Sequence, residues 1–118
     1  MDLNIKVEKK QENIYVISLS GSLDTVTTPD CEEKIAPILE SSARAIIFDM
    51  TELDYISSIG LAVIFKAKKR LLQTNGVLAI ANLNPGVKRV FESMNAIPES
   101  IFESLDEANK YIDDFLAK

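Results

Sequence analysis

The stretch that most constrains this chain is the apolar run Ala45-Ile46-Ile47-Phe48, a short polar link, and then Ser57-Ser58-Ile59-Gly60-Leu61. The run is short and rich in β-branched residues, which is the pattern of a buried strand. After Gly60, apolar residues fall at Leu61, Ile64, Phe65, Leu71 and Leu72, with Lys66, Lys68, Lys69 and Arg70 between them. That spacing predicts an amphipathic helix. The two serines therefore sit in a strand-to-helix link, at the helix N-terminus. The first N–H groups of a helix lack internal partners and carry partial positive charge. A serine hydroxyl can cap them. A phosphate on such a serine is also well received, by about 0.3–1 kcal/mol when exposed and up to about 2 kcal/mol when partly buried. Either serine suits the cap, and a cap with no further role is the plainer local reading of both.

Taken in order, Leu3 to Glu8 alternates apolar and polar residues and predicts a half-buried strand. Gln11-Glu12-Asn13 makes a turn, and Ile14 to Leu19 is a second strand, so the pair forms a hairpin. Ser20 to Asp24 reads as a turn. Thr28-Pro29-Asp30 predicts a helix start with Thr28 as N-cap, and Cys31, Ile35, Ile38 and Leu39 supply its apolar stripe. Pro37 within it predicts a kink or an early end. A third strand spans Arg44 to Met50, with Thr51 to Ile56 as a loop. The helix that follows stops near Thr74-Asn75-Gly76. Val77 to Ala81 is apolar throughout and predicts a central strand. Asn84-Pro85 opens a helix with Val87, Val90, Phe91 and Met94 on one face; Asn95 to Ser100 is a loop; Ile101-Phe102 is a short strand. Ser104-Leu105-Asp106-Glu107 is a capping box for a last helix with core face Leu105, Ala108, Ile112, Phe115 and Leu116. The expected fold is α/β: one domain over 1–118, with a mixed sheet of four to five strands and about four helices, ordered β-β-α-β-α-β-α-(β)-α.

Several chemistries have no support. The chain has no histidine, so Ser57, Ser58 and Cys31 have no imidazole base, and Cys31 reads as a small core residue. No phosphate-cradling glycine loop occurs, and no Cys/His cluster suits zinc. Asp24, Asp49 and Asp54 are the remaining carboxylates that could meet around magnesium, although strand-end acids are more often solvated turn residues. No enzyme, cofactor or metal is expected. A net charge of −5 argues against nucleic acid. One cysteine excludes an internal disulfide, and no apolar run is long enough to span a membrane. A soluble, cytoplasmic monomer is expected.

Three stretches resemble the STAS domains, and among them the stand-alone bacterial anti-sigma factor antagonists. They are Leu19-Ser20-Gly21-Ser22-Leu23-Asp24; Ile46 to Thr51 continuing through Tyr55-Ile56-Ser57-Ser58-Ile59-Gly60-Leu61-Ala62-Val63-Ile64; and Asn82 to Phe91. The resemblance implies a partner-switching mechanism. An anti-sigma factor that is also a serine kinase phosphorylates a serine at the head of this helix, and a serine phosphatase reverses it. Matching motif to motif, that serine falls on Ser58. The residue before it, usually Asp in the family, is Ser57 here, which leaves Ser57 as the alternative acceptor. The family's acidic residue after the second strand falls on Asp24. The implied partner surface comprises Asp24, Ile56, Ser57, Ser58, Ile59 and Gly60, with Tyr55 beside them. Alternatives within the resemblance are an adaptor in another partner-switching pathway and a nucleotide-binding STAS domain.

Overall fold

In the computed structural model, which describes residues 2–94 and 100–117, a five-stranded sheet carries four helices. The elements are β1 (Leu3–Gln11), β2 (Ile14–Leu23), α1 (Thr28–Glu40), β3 (Ala45–Ile56), α2 (Ser58–Gln73), β4 (Val77–Ala81), α3 (Pro85–Ser93), β5 (Ile101–Phe102) and α4 (Leu105–Leu116). The strands lie in sequence order across the sheet. β1 and β2 are antiparallel, joined at Glu12-Asn13, where Asn13 adopts φ 68°. The pairs β2/β3, β3/β4 and β4/β5 are parallel.

The side-chain alternation of the strands builds two cores. Ile46, Phe48 and Met50 of β3, with Leu78 and Ile80 of β4, face α1, α2 and α3. Ala45 and Ile47, with Val77, Ala79 and Ala81, face Ala108 and Ile112 of α4. β3 and β4 are thus covered on both sides, which explains why they read as continuous apolar runs, whereas β1 alternates.

Five local expectations change. Ser20 to Leu23 and Thr51 to Ile56 are strand, not turn and loop. The two segments pair with each other, Ser20 with Glu52, Gly21 with Leu53, Ser22 with Tyr55 and Leu23 with Ile56, after register shifts between Ser18 and Ser20 and between Gly21 and Ser22. The shifts leave Leu53 and Ile56 buried three residues apart, which hides the period of two. Gly21 sits at φ 98°, and a Cβ there would collide with the Asp2 carbonyl. Thr28 is the first helical residue and not the N-cap; Thr27 holds that position without a side-chain cap bond. α1 runs past Pro37 to Glu40, because the carbonyl that loses its partner belongs to Glu33 on the exposed face. Leu72 and Met94, expected on apolar faces, are 57% and 51% exposed. Residues 95–99 of the expected loop lie outside the described residues.

Candidate functional site

The extensions of β2 and β3 end side by side, and this places the chemistry. The Ser57 N–H donates to the Leu23 carbonyl at 2.8 Å, tying the head of α2 to the end of β2. Asp24 follows directly. Gly60, the third residue of α2, makes the close approach feasible: a Cβ on it would stand 2.7 Å from Leu23 Cγ and 2.8 Å from the Leu23 carbonyl oxygen.

The two serines have different tasks. Ser57 is the N-cap, with extended backbone (φ −90°, ψ 168°). Its hydroxyl accepts from the Gly60 N–H at 3.1 Å, and its carbonyl accepts from the Leu61 N–H at 2.9 Å. Ser58 is the first helical residue and exposed, and its hydroxyl bonds to none of the described residues. The N–H groups of Ser58 and Ile59 are likewise unpaired among the described residues. One hydroxyl is occupied by the fold, the other faces outward beside two free donors and the positive end of a helix.

Asp24 organises the neighbouring turn. Its Oδ1 accepts from the Val26 N–H and the Thr27 N–H, each at 3.0 Å, and lies 3.2 Å from the Thr27 hydroxyl. That hydroxyl also donates to the Ser22 carbonyl at 2.8 Å and accepts from the Asp24 N–H at 2.9 Å. The Thr27 N–H bond, foremost, holds the Asp24 carboxyl below its ordinary range against the desolvation of the carboxyl, with the Val26 N–H and the Thr27 hydroxyl adding to the lowering. The turn lifts Val26 into solvent, where it is 82% exposed. Tyr55 and Ile59 are each 51% exposed. These three are apolar side chains flanking Asp24 and Ser58 in sequence. From Ile59 an apolar groove of about 440 Å³ continues between α1 and α2 past Thr28, Val63 and Phe65, with Lys66 and Lys69 along it.

The structure brings Asp24, Ser57, Ser58 and Ile59 together at the surface and withdraws two expected contacts. Ile56 is 1% exposed and packs in the core, so its side chain offers nothing to a partner. Gly60 is buried against Leu23 and serves the packing. Val26 and Thr27 were not singled out from sequence. The signal was there in Asp24-Thr25-Val26-Thr27, an acid followed by a threonine three residues on, which is the pattern of a side-chain-closed turn. Asp24, Asp49 and Asp54 do not form a metal site: among the described residues no three of Cys, Asp or Glu are grouped to hold an ion. Asp49 instead accepts from the Thr51 hydroxyl at 2.6 Å and from Asn82 Nδ2 at 3.2 Å. Cys31 is buried, and desolvation, followed by the nearby Glu32 charge, pushes its thiol up to about 12. No helix among the described residues is long and apolar enough to cross a membrane.

A mixed sheet with parallel β2-β3-β4, and a capped helix head beside an acidic turn, define a STAS domain. Residues 5–108 match the STAS domain family, and the chain belongs to it. Among its relatives, the anti-sigma-B factor antagonist of Staphylococcus aureus is 30% identical over 92 residues, covering 78% of this chain and 84% of the relative. Among solved structures, an anti-sigma factor antagonist from Mycobacterium paratuberculosis superposes with a TM-score of 0.83 at 23% identity, covering 96% of each chain. The Bacillus cell-fate determinant SpoIIAA in its phosphorylated form superposes with a TM-score of 0.74 at 22% identity, covering 92% of this chain and 99% of the other. These structural likenesses establish the fold.

Proposed function

We propose that this chain is an anti-sigma factor antagonist whose activity is set by phosphorylation of Ser58. Unphosphorylated, it binds an anti-sigma factor with serine kinase activity and so releases a sigma factor. Phosphorylated, it lets go, and a serine phosphatase returns it to the binding form. The observation that carries this reading is the division of labour at the helix head: Ser57 Oγ is spent on the Gly60 N–H, while Ser58 Oγ is exposed and unbonded among the described residues. A relative that is an anti-sigma-B factor antagonist supports an anti-sigma factor as the partner.

The physics of the switch needs no refolding. A phosphate adds about −1.5 to −2 charge. The helix head receives it in place, through the free N–H groups of Ser58 and Ile59. A partner closing over Val26, Tyr55 and Ile59 would have to desolvate that charge beside the ionised Asp24. About 2.7 kcal/mol of such penalty lowers affinity a hundredfold. Intact-mass measurement and peptide mapping after incubation with ATP and a candidate anti-sigma kinase test the assignment. One phosphate on Ser58 is expected, with none on Ser58→Ala; phosphate on Ser57, or undiminished labelling of Ser58→Ala, would overturn it. Ser58→Asp should bind the kinase at least tenfold more weakly than wild type.

A further inference from the structure

The exposed Leu72 lies near the opposite end of α2 from Ser58, and the switch gives it no role. It borders a cavity of about 270 Å³ between α2, the start of β4 and α4. Three features that the fold leaves unexplained meet there. Leu72 offers apolar surface, 57% exposed, continued by the partly buried Tyr111 and Phe115. Lys68 is half-buried and pairs with no carboxylate among the described residues. Ser100 is 3% exposed, and its hydroxyl has no hydrogen-bond partner among the described residues. A buried hydroxyl without a partner is uncommon in native structures and calls for an explanation. Among the described residues lining the cavity none is acidic.

We infer that this cavity binds a small amphiphilic organic anion. An apolar body of the length of a medium-chain acyl group lies on Leu72, Tyr111 and Phe115; its anionic head meets the Lys68 ammonium; and a turn of Ser100 about χ1 brings its hydroxyl to the head as a second donor. The charge at Lys68 excludes a cation, and the apolar walls disfavour a bare inorganic ion. The volume lies just under the roughly 300–1,000 Å³ of drug-sized sites, which fits a ligand of about ten heavy atoms. The site stands apart from the Ser58 surface and does not depend on the proposed function.

Isothermal titration of the full chain with octanoate, octyl phosphate and octanol, with amide chemical-shift mapping, tests it. The expected result is saturable binding of at least one of the two anions, with shifts clustered at Lys68, Leu72 and Phe115. Lys68→Gln should weaken that binding at least tenfold, and Ser100→Ala about two- to fivefold. Preference for octanoate would assign a carboxylate head, and preference for octyl phosphate a phosphate head. Absence of saturable binding by either anion, equal binding of octanol, or unchanged affinity in a normally folded Lys68→Gln would overturn the inference. Lys68 is half-buried on the helix surface, so this variant keeps the fold.

Discussion

Replacing Gly60 by alanine asks whether the closeness of α2 to β2 is a structural requirement. In an ordinary helix the change stabilises: alanine lowers the entropy of the unfolded chain, worth about 0.4–1 kcal/mol where the native backbone tolerates it. Here the added Cβ would meet Leu23 Cγ at 2.7 Å and the Leu23 carbonyl oxygen at 2.8 Å. The Leu23 side chain is 0% exposed and has nowhere to turn, and its carbonyl is already held by the Ser57 N–H. To restore ordinary contact, the helix head must move away by several tenths of an ångström. Overpacking of this kind costs about 1–3 kcal/mol. The net expectation is a loss of about 1–2 kcal/mol, or roughly 3–12 °C in Tm at this chain length, and more for Gly60→Val. Urea unfolding followed by circular dichroism, with differential scanning calorimetry, measures it. Gly60→Ala as stable as wild type, or more so, would refute the reasoning, because it would mean the helix head can shift freely. The same displacement moves Ser58 relative to Asp24, so the phosphorylation proposed at Ser58 should slow even where the variant remains folded.

Ser57→Ala removes the cap and should cost about 0.5–2 kcal/mol, whereas Ser58→Ala, at an exposed and unbonded hydroxyl, should stay within about 0.5 kcal/mol of wild type; equal losses in urea unfolding would contradict the assignment of roles. Asp24 has its folded-state pKa lowered from 3.8, so its ionised form favours the fold above the unfolded value of about 4, and that contribution disappears as pH falls through the folded pKa. A carbon-13 NMR titration should therefore place the Asp24 midpoint below 3.8, and a midpoint at or above that value would remove the Thr27 turn from the account. Cys31, with its thiol raised to about 12, should be inert to iodoacetamide at pH 8 in the native protein and react once guanidinium unfolds it; rapid native labelling would show that the core around it opens readily.

The elements with a clean period were legible in the sequence. β4 was read to the residue, because a five-residue apolar run between Gly76 and Asn82 admits one assignment. The cap of α4 was legible as a capping box, where Ser104 accepts from the Glu107 N–H at 3.2 Å; Asn84-Pro85 marked the start of α3, where Asn84 accepts from the Val87 N–H at 2.8 Å. What escaped was the part that builds the site. Ser20 to Leu23 and Thr51 to Ile56 look like turns because serine, glycine and acidic residues dominate them. Ser20 and Gly21 pair with Asn4 and Leu3 of β1 on one side, the whole Ser20 to Leu23 segment pairs with Glu52 to Ile56 on the other, and register shifts erase the local period. The serine pair was found from sequence, but which of the two caps the helix was not, since both residues satisfy the rule for a cap and only the backbone extension at Ser57 decides between them. The partner surface was misjudged at Ile56, which a loop would expose and a paired strand buries.

The bond from the Ser57 N–H to the Leu23 carbonyl, together with the Asp24 turn, positions the Ser58 hydroxyl through main-chain atoms, capping groups and one glycine. None of that scaffolding uses the side chains of Val26, Tyr55 or Ile59, which stand in solvent. Those three positions can change with little penalty to stability, while the Ser58 hydroxyl stays where it is. Under the switch proposed above, a cell holding several such proteins keeps its circuits insulated by varying three surface residues on one unchanging frame, so that each partner recognises its own antagonist and ignores the rest.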